Sequence, residues 1–228
     1  MKTSKIIFIA LLSTIALIIL AAIINVRLTG KQDGEFKSEF KTRIQLSQIK
    51  SISIINNNNI ELVQSDSAYF EITTMKDSIV PKLKYSITGD TLKIDDQMVK
   101  TGRGAWVSIH VNDQLNQIIL KKSYLNLFNF QISQLSVDLD QSNLNVIQQN
   151  DKKNSFQRLK IIARNNSQFD ATDIKIDSLQ VEIYHSEISL WSTINNLRGS
   201  IADSSRLSVR QPYEITLKRD SSSNLNIN

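Results

Sequence analysis

Through most of the chain, apolar residues return at every second position rather than at every third or fourth. Ile52 and Ile54, Ile60 and Leu62, Tyr69 or Phe70 with Ile72, Leu83 with Tyr85 and Ile87, and Leu92 with Ile94 outline short, half-buried strands. Between them lie turn-rich pieces such as Asn56-Asn57-Asn58-Asn59 and Thr88-Gly89-Asp90, where asparagine and glycine tolerate the left-handed backbone that a reversal needs. Nothing in this region has the length and period of an amphipathic helix.

From about residue 116 the alternation is itself repeated. The segments NQIILKKS (116–123), LSVDLDQS (135–142), LKIIARNN (159–166), LQVEIYHS (179–186) and LRGSIADS (197–204) align with mostly apolar third and fifth positions. Their eighth positions read Ser123, Ser142, Asn166, Ser186 and Ser204, and an apolar residue follows each: Leu125, Leu144, Phe169, Ile188 and Leu207. A weaker copy, YEITLKRD, starts at Tyr213. A unit of roughly 20 residues is in the range of solenoid turns. One such unit cannot bury its own apolar face, whereas coiling the units about 4.8 Å apart stacks like on like and builds a continuous apolar column. The expected fold is therefore all-β, a parallel β-helix with small polar residues at its corners. A leucine-rich repeat lacks its consensus here, while an antiparallel sandwich is the alternative that the turn spacing also permits.

Ahead of the strands stands a different signal. Ile6 to Ile24 carry no charge, and Ser13 and Thr14 alone interrupt their apolar character. At about 1.5 Å per residue, a helix of that length nearly spans a hydrocarbon core of about 30 Å. The run is long for a signal peptide, and Ile23-Ile24-Asn25-Val26-Arg27 is a poor cleavage context. Residues 1–31 are thus expected to be an uncleaved anchor with its flanks, with a short cytoplasmic tail and an exported body. A polar juncture containing Gly30 and Gly34 leads to a body that begins near Phe36 and runs to residue 228.

Charge sharpens this division. The net charge of +5 comes mostly from Lys2, Lys5, Arg27 and Lys31, which leave 23 basic against 22 acidic residues in the remainder. A nearly neutral body supplies no field for phosphates, and the pairs Lys121-Lys122, Lys152-Lys153 and Lys218-Arg219 are scattered, so nucleic acid is not an expected partner. The absence of cysteine excludes disulfides, thiolate metal sites and a lipid-modified cysteine.

One stretch, DSLQVEIYHSEISLW (177–191), looks reactive because Tyr184, His185, Ser186 and Glu187 are adjacent. Neighbours on a strand point to opposite faces, however, and Ser186 occupies the repeated corner position, so a structural role is expected. The outward sixth positions Lys121, Asp140, Arg164, Tyr184, Ala202 and Lys218 read as a cross-strand ladder in which an Asp lies between two cations. His110 and His185 lack further ligands, Asp95-Asp96 and Asp138-x-Asp140 lack a calcium-loop series, and Gly102-Arg103-Gly104 lacks the context of a phosphate loop. No catalytic residue, metal or cofactor is assigned. Trp106 and Trp191 suit packing or a rim position, with stacking on sugars as the alternative.

The strand pair in IKSISIINNNNIELVQSD, the Gly-Asp turn in LKYSITGDTLKID and the Ser- and Asn-cornered repeats after residue 116 resemble the head-GIN-domain family, Bacteroidetes envelope proteins proposed to be auto-transporter adhesins. Family members usually have more glycine in their turns. The resemblance covers residues 36–228 and implies a right-handed β-helix on the exported, periplasmic side of the membrane. Neither catalytic residues nor cofactors are implied. The expected function is a non-catalytic envelope module, anchored through residues 6–24, that binds a polysaccharide or an envelope protein. The terminal NLNIN is a candidate open edge for pairing with another chain. A polysaccharide-active lyase or hydrolase is the alternative, although fold alone cannot carry it.

Overall fold

Period-two sequence becomes strand wherever the computed structural model describes the chain, over residues 40–57, 60–74, 84–95, 105–148 and 154–228. The predicted membrane segment 6–24, the juncture before Phe36 and Gly102-Arg103-Gly104 lie outside these residues. Among the described residues, no helix is long and apolar enough to cross a membrane.

The body is a β-solenoid of about five turns. A turn runs from β8 (Gln117–Lys121) to β9 (Tyr124–Phe128) and then into β10 (Gln131–Asp140), whose second half lies in parallel register beside β8. The same path continues through β11 (Asn143–Ile147), β12 (Ser155–Arg164), β13 (Gln168–Tyr184), β14 (Glu187–Ala202), β15 (Arg206–Val209), β16 (Glu214–Arg219) and β17 (Asn224–Ile227). Each turn has three sides.

Inward residues stack in columns. On the first side, Ile118, Val137, Ile161, Val181 and Gly199 are successive register partners, as are Leu120, Leu139, Ala163, Ile183 and Ile201. On the second side, Leu125, Leu144, Phe169, Ile188, Leu207 and Leu225 do the same. These are the apolar positions expected from the repeat. In the turn that contains Phe156 and Phe169, the columns also contain Ala163 and Ala171, so large and small side chains share the interior space.

The three corners are built differently. Between the third and first sides the strands bend without breaking, and two consecutive residues escape burial: Ser133-Gln134, Gln157-Arg158, Asp177-Ser178 and Asn195-Asn196. The corner between first and second sides uses left-handed residues, Asn56, Lys122, Gln141 and His185 singly, and the pairs Asn165-Asn166 and Asp203-Ser204. These side chains replace the glycines usual at such φ values, at about 1–2 kcal/mol per residue where no local hydrogen bond compensates. The following residue faces inward. The corner column is therefore Ser123, Ser142, Ser167, Ser186, Ser205 and Ser223, all buried. Asn166 and Ser204, the expected corner positions, lie one residue too early, because each paired turn inserts an extra residue. The last copy also shifts. Ile215, rather than Tyr213, pairs with Leu197, and the two-residue offset preserves the inward face, which is why the pattern did not betray it.

The beginning of the stack departs from an all-parallel coil. β2 (Ser51–Ile55) and β3 (Ile60–Gln64) form a turn beside β8 and β9, with Asn56 and Asn57 at its corner. On their other side lie β6 (Thr91–Ile94) and β7 (Ala105–Val111), both still parallel. Beyond these the pairing reverses. β5 (Tyr85–Thr88) is antiparallel to β6, and β4 (Tyr69–Thr74) is antiparallel to both β7 and β1 (Phe40–Gln45). The Gly89-Asp90 turn joins β5 directly to β6, a link too short for parallel strands, which need a crossover of about a dozen residues. Tyr85 and Ile87 stay exposed on β5, although their spacing predicted a buried face.

Gly199 is held by the close approach of the neighbouring strand's backbone. Its φ is +139°, and a Cβ placed there would lie 1.8 Å from the Val181 carbonyl oxygen. Gly199→Ala is expected to lower stability by about 2–3 kcal/mol, read as a drop of several degrees in the thermal midpoint. An unchanged midpoint would show that β13 and β14 are not packed this closely.

Candidate functional site

The reactive-looking stretch is resolved by its hydrogen bonds. The Ser186 hydroxyl donates to the Tyr184 carbonyl at 2.9 Å and accepts from the Ser167 N–H at 3.1 Å. Both capacities serve the corner. His185 occupies the left-handed position at φ 46° and is exposed, while Glu187 leaves in the next strand to meet Arg206 at 3.6 Å. A hollow of about 320 Å³ follows this corner, lined by His185, Ser186, Glu187 and Arg206 but not by Tyr184, and beside it the Ser186 hydroxyl stays committed to the corner backbone and Glu187 to Arg206.

The charged ladder is present, with different contacts. Lys121, Asp140 and Arg164 are register partners as expected, with Tyr184 and Ala202 beyond them, but Lys218 pairs with Ser200. Arg164 reaches diagonally to Asp138 at 2.6 Å, and Asp140 accepts from the Asn165 amide at 2.7 Å. Such surface pairs are worth about 0–1 kcal/mol. Among the described residues, no three His, Asp or Glu side chains are grouped to hold a metal. Asp96, Lys152 and Lys153 are outside those residues.

His110 and His185 are kept apart. His110 lies on β7, stacked against Tyr69 at 4.2 Å, and its Nδ1 is buried without a partner among the described residues. Arg43 lies 4.8 Å over the same Tyr69 ring and, with Lys41, pairs with the buried Glu71 at 3.1 and 2.9 Å. The hydrogen bond from Lys41 is the main reason that the Glu71 carboxyl titrates below its usual range, assisted by Arg43 against the opposing effect of burial. Burial pushes the His110 imidazole below its ordinary value, with the Glu71 charge opposing.

The second side carries a continuous column of polar residues. One column joins Arg43, Glu71, Ser108, Glu61, Asn126, Asn145, Asp170, Ser189, Ser208 and Asn226 through consecutive register pairs. Its members bond along the stack: Ser108 donates to Glu61 at 3.3 Å, and the Asn145 amide donates to Tyr124 at 2.6 Å and Asn126 at 3.3 Å. Burial raises the Asp170 carboxyl above its usual range, against a hydrogen bond from Gln168 and with the Glu187 charge adding to the rise.

Where this face meets the third side, the corner opens into a groove of about 760 Å³. Trp191, 47% exposed, stands at it, whereas Trp106 lies on β7 near the other end of the stack. Sequence spacing does not reveal the groove, because a bulge between Thr172 and Lys175 shapes it and brings Asp173, at φ 56°, to the surface. Gln131, Ser155, Lys175 and Thr193 form one edge as consecutive register partners. A second hollow of about 310 Å³ continues along them past Gln157 and Asp177.

Similar architectures occur in known structures. A protein named "putative adhesin" from Bacteroides fragilis NCTC 9343 is 13% identical, covers 84% of this chain and 98% of its own, and superposes with a TM-score of 0.50. A "putative lipid binding protein" from Parabacteroides distasonis ATCC 8503 has 12% identity, coverages of 85% and 98%, and a TM-score of 0.44. No family model and no curated protein matches the chain.

The cluster of Lys41, Arg43, Glu71 and His110 generates a pH dependence. The folded His110 binds a proton less readily than the unfolded chain does, so its contribution is complete above its ordinary value of 6.5 and declines as pH falls. Glu71 is depressed, so its contribution is complete above its ordinary value of 4.5 and is lost as the pH falls from there through its folded value. The thermal midpoint should therefore fall between about pH 7.5 and pH 5, and His110→Phe should flatten most of that fall. An equal fall in the variant would exclude His110 as its source.

Proposed function

We propose that this chain is a membrane-anchored, exported protein of the bacterial cell envelope, whose solenoid is a non-catalytic binding module for polysaccharide. The observation that carries the reading is the pairing of an uninterrupted polar column on the second side with a groove edged by an exposed tryptophan. Regular amides, hydroxyls and carboxylates can meet the hydroxyls of a long repeating polymer, and an aromatic face can take the apolar side of a ring. A catalytic site needs groups converging from several directions on one reacting atom; here the Ser186 hydroxyl is committed to the corner backbone and Glu187 to Arg206.

The likeness to a protein named "putative adhesin" agrees with this reading. Membership of the head-GIN-domain family belongs to the proposal as well, supported by the Gly89-Asp90 turn and the serine-cornered rungs. The coil is taken as right-handed, as parallel crossovers almost always are. Residues 6–24 would hold the body at the membrane with its solenoid on the periplasmic side, in keeping with their charge-free run of apolar residues.

The test is to incubate the full chain with envelope and extracellular polysaccharides and score retention and new reducing ends together. Retention without new ends is expected. Released oligosaccharides would overturn the non-catalytic reading, and absence of both would transfer the role to a protein partner.

A further inference from the structure

The groove has a chemistry more specific than general adhesion. Trp191 follows Thr172 in register and is directly succeeded by the turn that carries Arg210, whose N–H donates to Leu190 at 3.1 Å. The indole is therefore held at one rung while charged groups from the adjoining rungs line the same space. Asp173 comes from the bulge, Lys175 from the position where the register resumes, and Gln131 and Gln148 from earlier turns. At its floor, Ser192 is fully buried, and its hydroxyl has no partner among the described residues.

We propose that this groove binds an uncharged hexose polysaccharide lying along the axis of the solenoid, a ligand assignment that rests on the polysaccharide-binding reading. Three features select that ligand. Trp191 offers a broad, half-exposed aromatic surface to the apolar face of a pyranose ring. Around it, the carboxylate of Asp173 accepts, Lys175 and Arg210 donate, and the amides of Gln131 and Gln148 do both. That mixture matches sugar hydroxyls, each of which is donor and acceptor at once. Lys175 is in addition offset by Asp177 at 3.8 Å, so the groove has no cationic excess that would favour a polyanion.

Direction follows from the register. Gln131, Ser155, Lys175 and Thr193 come from four successive rungs, and about 4.8 Å separates each rung from the next. The edge therefore extends about 14 Å parallel to the axis, presenting one polar residue per step. An extended chain of repeating sugars can follow it, whereas a single monosaccharide would engage only one step.

The chain has two tryptophans, so Trp106→Phe in the full-length protein leaves Trp191 as its sole indole. Titration of that variant with neutral gluco-, manno- and galacto-oligosaccharides should change the Trp191 emission for at least one series, with affinity rising with chain length. Polygalacturonate should bind at least tenfold more weakly. Introducing Trp191→Ala into the wild-type chain should reduce retention of the same neutral polymer at least tenfold, with circular dichroism unchanged. If neutral polysaccharide is retained equally by Trp191→Ala, the groove assignment fails while the broader binding reading stands. Preference for polygalacturonate would overturn the uncharged ligand class. Retention of no polysaccharide would remove both.

Discussion

Every turn of this solenoid depends on one repeated hydrogen-bond exchange at the corner between its first and second sides. The N–H groups of Asn57, Ser123, Ser142, Ser167, Ser186 and Ser205 each donate to the hydroxyl of the next serine, at 3.0 to 3.3 Å. The Ser123, Ser142, Ser167 and Ser186 hydroxyls in turn donate to the carbonyls of Lys121, Asp140, Arg164 and Tyr184. Ser205 does the same to Ala202. A corner interrupts the strand ladder and leaves buried backbone donors that must find partners. Each such bond is worth about 0.5–1.5 kcal/mol, while an unsatisfied buried donor costs about 1–3 kcal/mol. Because the column locks one rung to the next, it also fixes which apolar residues meet inside.

That constraint explains how much was legible in the sequence. The inward columns through Val137, Ile161 and Val181, and through Leu144, Phe169 and Ile188, follow directly from the repeated alternation. Ser186 could be assigned to a corner for the same reason. Period two cannot reveal whether a corner contains one left-handed residue or two, so Ser167 and Ser205 were displaced by one position. Nor does it resolve a slip of two residues, as at Ile215. Alternation alone does not distinguish the antiparallel pairings of β1, β4 and β5 from parallel ones, and the Trp191 groove depends on a bulge at Asp173. Both are irregularities that a repeat analysis averages away.

The same physics shapes what the surface can do. Since each rung sets its outward residues beside those of its neighbours, like groups form columns, and a catalytic triad is difficult to assemble from one side. Binding groups are readily repeated. Asn126, Asn145 and Asp170 form such a column, and Trp191 with Asp173 and Arg210 stands beside it at a corner. The packed interior fixes the backbone positions of these groups, which lowers the cost of ordering them at the moment of binding.

Hydrogen exchange of individual backbone amides in the full chain tests the corner column most directly. The amides of Ser123, Ser142, Ser167, Ser186 and Ser205 should exchange as slowly as those of the core residues Leu139 and Val181, because they open only when rungs separate. Exchange at the rate of exposed loops would contradict the serine column as the element that joins the turns.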